Sequence, residues 1–153
     1  MITYQIGTPQ NIVSENDFGQ IEALLHELAP DSKINIKDVR RALIGYGEQP
    51  MTYLVLARDR EKIVGMGTQI FVQNWFGRHS FLHDMVIEKK YRGKEYGIFA
   101  KIAEMFAEND KKMGSKFCDL TCGIGRVAAH KAYKKHGFEK RDSLVLRREV
   151  KNA

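Results

Sequence analysis

The residues best suited to chemistry lie where an apolar strand meets a basic, glycine-containing loop and the start of a helix. The strand ends on Met85, Val86 and Ile87. The loop and first helical residue are Arg92, Gly93, Lys94, Glu95, Tyr96, Gly97 and Ile98. Amides at a helix N-terminus point donors at one spot, and the helix dipole adds roughly half a positive charge there. The segment therefore predicts an anion site, and phosphate groups are the expected ligand.

Two titratable side chains directly precede this segment. His83 and Asp84 lie on a predicted central strand, and alternation puts Asp84 between Leu82 and Val86 on one face. A carboxylate on an otherwise apolar strand is costly unless it has a partner or a purpose. Asp84 is therefore predicted to be either a hydrogen-bonded structural residue or a functional carboxylate, and both interpretations stay open.

The composition predicts one soluble domain spanning residues 1–153. At 153 residues, folding hides roughly 70% of the unfolded surface, so a proper core is available. The apolar runs are too short to span a bilayer, and the first residues lack a signal-peptide pattern, so a cytoplasmic location is expected. A net charge of +6 favours an anionic partner, which includes both a phosphorylated cofactor and nucleic acid. Cys118 and Cys122 lack partners for a metal site, so no metal is expected.

The predicted elements alternate as one mixed α/β chain in the order βααβββαβαβ. Strands are predicted at residues 2–6, 51–58, 62–73, 80–87, 116–121 and 144–149, with a further short strand at 138–140. A first helix ends before Pro30, a second ends at Gly45, a long one runs from Ile98 to Gly114, and a short one covers about 126–136.

These segments resemble the two signature regions of the GNAT acetyltransferase superfamily. The first signature, Arg/Gln-x-x-Gly-x-Gly/Ala, falls on residues 92–97. The second falls on Arg126, Ala129, Tyr133 and the pair Gly137-Phe138. The resemblance covers nearly the whole chain. It implies the GNAT fold, a mixed α/β architecture with a central, mostly antiparallel sheet of six to seven strands flanked by about four helices.

The resemblance also implies that acetyl-CoA is the cosubstrate. Backbone groups of Met85 and Ile87, on either side of Val86, would pair with the pantetheine arm, and the amides of residues 92–98 would hold the pyrophosphate. Arg126 and Ala129 would contact the cofactor as well. Two residues depart from the family pattern: Glu95 replaces the usual first loop glycine, and Arg126 replaces the usual asparagine.

Acetyl transfer to an amine needs a base, because an alkylamine of pKa about 10.4 is protonated at neutral pH, and an acid for the leaving thiolate. The resemblance makes Tyr133 the acid, and the alternative is a core tyrosine packed with Ala129 and Phe138. Asp84 is the predicted base, with His83 as its alternative.

The sequence as a whole predicts an acetyl-CoA-dependent N-acetyltransferase in which the bound amine attacks the thioester directly in a ternary complex. The acceptor is a small-molecule or protein amine, selected by the first two helices, the loop at residues 45–47 and the turn at 74–79. Trp75 and Phe76 on that turn would cover a substrate or contact a second copy, since family members are often dimers. A non-catalytic acyl-CoA sensor and, at lower weight, a basic nucleic-acid-binding module are the alternatives.

Overall fold

The computed structural model describes residues 1–49, 51–93 and 95–150, so the predicted cofactor residue Lys94 lies outside the described residues. The chain forms two compact units, Met1–Thr121 and Cys122–Ala153. Among the described residues, the first unit contains the sheet and four α-helices, and the second contains one α-helix.

The first unit is built on a sheet with the strand order β1-β2-β3-β4-β5. The strands are β1 (Ile2–Gly7), β2 (Thr52–Asp59), β3 (Lys62–Asn74), β4 (Gly77–Ile87) and β5 (Cys118–Leu120). Strands β1 to β4 pair antiparallel, and β5 pairs parallel with β4. The helices of this unit are α1 (Pro9–Ile12), α2 (Phe18–Leu28), α3 (Ile36–Gly47) and α4 (Ile98–Met113). Helix α5 (Val127–Lys135) belongs to the second unit.

One face of the sheet packs against α2. Leu56, Met66 and Val86 on three neighbouring strands are buried with Phe18 and Ile21 of that helix. The amphipathic pattern of α2 thus meets the apolar rows of β2, β3 and β4. Burial of one such side chain contributes about 1.5–3 kcal/mol, so this cluster is a main source of stability.

The other face packs against α4, where buried polar groups are paired with one another. Gln69 of β3 donates from Nε2 to the Phe106 carbonyl oxygen at 3.2 Å, and Asn109 Nδ2 donates to Gln69 Oε1 at 2.9 Å. Ser80 donates its hydroxyl to Asp110 at 2.6 Å. Because an unpaired buried amide costs about 1–3 kcal/mol, these bonds favour one position of α4 on the sheet.

A buried ion pair joins the start of α2 to the sheet. The guanidinium of Arg58 donates from both terminal nitrogens to the Asp17 carboxylate, at 2.8 and 3.0 Å. Asp17 also accepts from the amide and the hydroxyl of Ser14 at 2.8 Å. Only 6% of the Asp17 side chain is exposed, so these bonds replace most of its hydration.

The predicted mixed α/β fold is confirmed, and α2 to α5 are the four expected helices longer than one turn. The strand count is lower than expected: the described residues form five strands, and none at 138–140 or 144–149. Leu144 and Leu146 are both 87% exposed. A strand needs a hydrogen-bonding neighbour, and the described part of the second unit contains only α5 as a regular element. Apolar alternation alone was therefore insufficient to predict a strand at residues 144–149.

The predicted end of the second helix at Gly45 was also wrong, because α3 continues to Gly47. A glycine inside a helix costs only about 1 kcal/mol, which tertiary contacts can offset. Gln10 supplies such a contact, since its side-chain amide donates to the Leu43 carbonyl at 2.7 Å and lies against Gly47.

Candidate active site

A β-bulge lies in the middle of β4, beside the predicted anion site. Val86 pairs with Met66 and His83 pairs with Thr68, so two β4 residues, Asp84 and Met85, face the single residue between those partners on β3. Asp84 takes the left-handed conformation, with φ of 52°. Such strain in a non-glycine residue is concentrated at functional sites in proteins.

The bulge corrects one prediction about Asp84. Leu82 pairs with Gln69, whose side chain bonds to α4, whereas Val86 belongs to the cluster around α2. Leu82 and Val86 therefore lie on opposite faces of the sheet. The expectation that Asp84 lies between them on one face was wrong, because strict alternation fails where one strand contains an extra residue.

The second half of β4 offers an open edge. The parallel pairing with β5 is confined to Ser80, Phe81 and Leu82. Beyond that point, β3 is the only strand in the described part of the first unit that pairs with β4. Backbone groups of residues 83–86 therefore have no strand partner on one side, while the Ile87 carbonyl accepts from Arg92. An edge of this kind suits an extended ligand that pairs as a strand does.

The loop after β4 is organised for close approach to its backbone. Gly93 has φ of 133° and Gly97 has φ of 61°, and at both positions a Cβ would meet no atom within 4 Å among the described residues other than the adjacent ones in the chain. Gly97 is also the N-cap of α4, and it provides no side chain to bond the first helical amides. The positive end of the helix dipole therefore lies at Gly97, and the anion site at this loop stays a prediction.

Tyr91 anchors the base of this loop. Its hydroxyl donates to Asp59 Oδ2 at 2.8 Å, and its ring lies 5.2 Å from that of Tyr96. The hydrogen bond to Asp59, followed by burial, raises the pKa of Tyr91. Glu95, the residue that departs from the family pattern, is exposed.

The Arg92 guanidinium is engaged within the protein. Its Nε donates to the Ile87 carbonyl at 2.7 Å, and its Nη2 donates to Glu27 of α2 at 2.9 Å. Glu27 accepts a further bond, from the Lys89 amide, at 2.9 Å. Sequence reasoning missed Glu27 because it lies 65 positions from Arg92 and carries no local motif.

The carboxyl group of Asp84 is half-buried, and polar groups lie near it. Burial raises its pKa, and the charge of His83 opposes that shift. The pKa of Tyr46 on α3 is raised by burial and by the Asp84 charge, while a hydrogen bond with Thr68 lowers it. The structure thus brings Asp84 near His83 and Tyr46. Tyr46 belongs to the segment predicted to select the acceptor, whereas sequence reasoning missed Thr68.

Three further predicted site residues lie in the second unit. Arg126 is the N-cap of α5, while Ala129 and Tyr133 lie within that helix. The ring of Tyr133 is 5.5 Å from the Phe138 ring in an edge arrangement. Gly137, with φ of 85°, follows the helix end. The roles of these residues in cofactor binding and catalysis stay predictions.

Trp75 and Phe76 form the turn between β3 and β4. They are 102% and 83% exposed, and the turn is held by the Asn74 side chain, which accepts from the Phe76 amide at 2.8 Å.

In the described ranges, no helix is long and apolar enough to cross a membrane.

Comparison with known proteins identifies the family. The model of the Acetyltransferase (GNAT) family matches residues 21–138, which is most of the chain. The chain therefore belongs to the GNAT acetyltransferase family, and the resemblance noted in the sequence is confirmed.

Two curated relatives are thialysine N-epsilon-acetyltransferases. The mouse protein is 31% identical over 106 residues, which are 60% of this chain and 62% of that protein. The protein of Bos taurus is 33% identical over 107 residues, covering 61% of this chain and 62% of the relative. The match thus spans less than two thirds of these relatives.

Solved structures share the fold across nearly the entire chain. An aminoglycoside acetyltransferase from an uncultured soil metagenomic sample, in complex with sisomicin, has a TM-score of 0.78 at 14% identity and covers 99% of this chain and 97% of its own. A predicted acetyltransferase from Clostridium acetobutylicum, with acetyl-CoA, has a TM-score of 0.74 at 18% identity and covers 97% of this chain and 96% of its own.

Proposed function

We propose that the protein is an acetyl-CoA-dependent N-acetyltransferase that acts on a primary amine by direct attack in a ternary complex. The observation that carries the proposal is the bulged β4 with its open edge, which leads into a loop with two positive-φ glycines at the start of α4. These features fit a ligand with an extended arm and a phosphorylated end. Family membership supports the same class of reaction.

The residues divide the binding task between backbone and side chains. Met85 and Ile87 would pair through their backbone with the pantetheine arm, and the loop amides around Gly93 and Gly97 would hold the pyrophosphate. Arg126 and Ala129 are proposed as further cofactor contacts, as the family resemblance implies. When bound, acetyl-CoA supplies an acetyl group activated as a thioester.

Two side chains would move protons. Asp84 would orient the amine and accept its proton, directly or through water, and its raised pKa makes it a stronger base than an ordinary aspartate. His83, which is exposed on the same strand, is the alternative base. The Tyr133 hydroxyl would donate a proton to the departing thiolate sulfur.

The acceptor is proposed to be an amine that enters on the side of α3, where Tyr46 and Asp84 provide polar groups. Thialysine and sisomicin are the first candidates to assay, because the names of the relatives and of one structural neighbour mention them. A peptide amine is the third class. The cytoplasmic location and the homodimer stay predictions from the sequence.

A second candidate function is a non-catalytic acyl-CoA sensor, and the exposed Glu95 carboxylate in the pyrophosphate loop favours it. A thermal-shift titration with acetyl-CoA, followed by a thiol-release assay with each amine class, separates the two functions. Stabilisation together with thiol release supports the transferase. Stabilisation without release for any amine supports the sensor, and salt-sensitive nucleic-acid binding without a response to acetyl-CoA would contradict both.

A further inference from the structure

Glu27, near the end of α2, connects that helix to the entrance of the loop at residues 92–98. We propose that Glu27 is a positioning residue that holds this loop ready for the pyrophosphate of the cofactor. The inference rests on the proposed function and adds to it a residue outside both signature regions.

Three hydrogen bonds define the contact. One carboxylate oxygen of Glu27 accepts from the Lys89 amide and from Arg92 Nη2, both at 2.9 Å. The Nε of the same guanidinium donates to the Ile87 carbonyl at 2.7 Å. The Glu27 carboxylate thereby holds the turn after β4 and the first loop residue directly. Through Arg92 it is also connected to the end of β4.

Charge attraction between Arg92 and Glu27 would contribute little to the stability of the protein. The side chains of Arg92 and Glu27 are 51% and 32% exposed, and exposed ion pairs contribute about 0–1 kcal/mol to stability. The effect expected here is geometric instead, because two of the three bonds involve backbone groups of residues 87 and 89, and these fix the direction in which the chain leaves β4.

The loop needs such support because its glycines make it conformationally permissive. Gly93 and Gly97 both have positive φ. Apart from adjacent residues, no atom of the described part of the chain lies within 4 Å of a Cβ position at either glycine, so packing from elsewhere in the described fold does not restrain them. A loop fixed at its entrance loses less conformational entropy on binding, and this preorganisation increases affinity. The contribution should appear in the binding of the pyrophosphate. The bond from Arg92 Nε to the Ile87 carbonyl does not involve Glu27 itself, so the pantetheine contact on β4 should be retained without Glu27.

The test compares two ligands and three variants. Glu27→Ala removes the acceptor, Glu27→Gln retains an oxygen that can accept the same bonds, and Glu22→Ala is the control on the same helix, where Glu22 lies 3.9 Å from His26. Thermal-shift titrations use acetyl-CoA and S-acetylpantetheine, which lacks the pyrophosphate. The Tm of each variant without ligand verifies its folding and gives its reference.

We expect Glu27→Ala to weaken acetyl-CoA binding about tenfold, with Glu27→Gln recovering part of the loss and Glu22→Ala unchanged. Binding of S-acetylpantetheine should stay at the wild-type level. In turnover assays, KM for acetyl-CoA should rise while kcat is retained. Equal loss of both ligands, or no loss for Glu27→Ala, would overturn the proposal, whereas failure of the wild-type protein to bind acetyl-CoA would instead overturn the proposed function.

Discussion

Gly67 and Asp84 lie opposite each other at the bulge between β3 and β4, each with a different constraint. A Cβ at Gly67 would come within 2.9 Å of the Phe106 ring of α4, while Asp84 is strained by its φ of 52°. Close packing on the α4 side and a left-handed aspartate on β4 therefore occur at the same point of the sheet. This point is also where the pairing with β5 has ended and the open edge of β4 begins.

Replacing Asp84 by Asn should lower kcat/KM by about 10²-fold to 10³-fold, because the predicted base is lost while the shape is kept. Asparagine also tolerates the left-handed conformation, so the bulge should survive. Measured against pH, kcat/KM of the wild type should rise as Asp84 loses its proton, above the ordinary aspartate range because burial raises its pKa. An unchanged pH profile in the variant would exclude Asp84 as the base.

The same variant should be more stable than the wild type at neutral pH. A raised pKa means that the folded protein holds the Asp84 proton more tightly than the unfolded chain does. The free energy of unfolding therefore falls as pH rises from the ordinary aspartate pKa, about 3.9, through the raised folded value. Thermal unfolding at pH 7 should show a higher Tm for Asp84→Asn, and the difference should disappear in acid.

Tyr133→Phe should lower kcat by about 10²-fold or more and leave KM for acetyl-CoA near the wild-type value, since it removes only the proton donor. The packing against Phe138 should persist because the ring is retained. Tyr53→Phe is the matched control, since the Tyr53 hydroxyl contacts Met113, outside the proposed site. A fully active Tyr133→Phe enzyme would leave only the packing role for this residue.

Glu95→Gly should tighten acetyl-CoA binding by roughly threefold, because it removes a negative charge near the expected pyrophosphate and permits positive φ. Glu95→Gln separates the effect of charge from that of backbone freedom. Glu108→Gln, an exposed change on α4, controls for net charge. Weaker binding in Glu95→Gly, measured by titration calorimetry, would mean that the signature register is wrong.

Asp17→Asn should destabilise the protein by about 3 kcal/mol, or roughly 10 °C in Tm, because Arg58 would lose its buried partner. Burial raises the pKa of Asp17, but its bonds with Arg58 and Ser14 outweigh burial and lower it. This stabilisation is present above the ordinary aspartate pKa and is lost as pH falls through the lowered folded value. The Tm difference between wild type and variant should therefore shrink in acid, and Asp31→Asn, an exposed change, should leave Tm unchanged.

The sequence predicted those parts of the fold that depend on local pattern. Strands β2 to β4, helix α4 and the glycines that start and end it follow from periodicity and from turn residues. The prediction from sequence failed where a strand forms only if a neighbouring strand pairs with it. Leu144 and Leu146 lie in a segment with the apolar alternation of a strand, but both side chains are exposed.

The site shows the same division. The loop glycines could be singled out because signatures are local, and Tyr133 stays a predicted site residue on the same ground. Glu27 and Thr68 contact the loop and the Asp84 region through tertiary contacts that no spacing encodes. The bulge at Asp84 was also missed, since an extra residue in one strand depends on the register of its neighbour.

The buried bonds of Gln69 with Phe106 and Asn109 have a consequence for the far end of α4. At 1.5 Å per residue, Asn109 lies about 17 Å along the helix axis from Ile98. A helix that slid by one turn would move by about 5.4 Å and break both bonds inside the core. The side-chain amides of Gln69 and Asn109 therefore fix the position of α4 along its own axis. They thereby set how far its N-terminus projects toward any ligand that the loop holds.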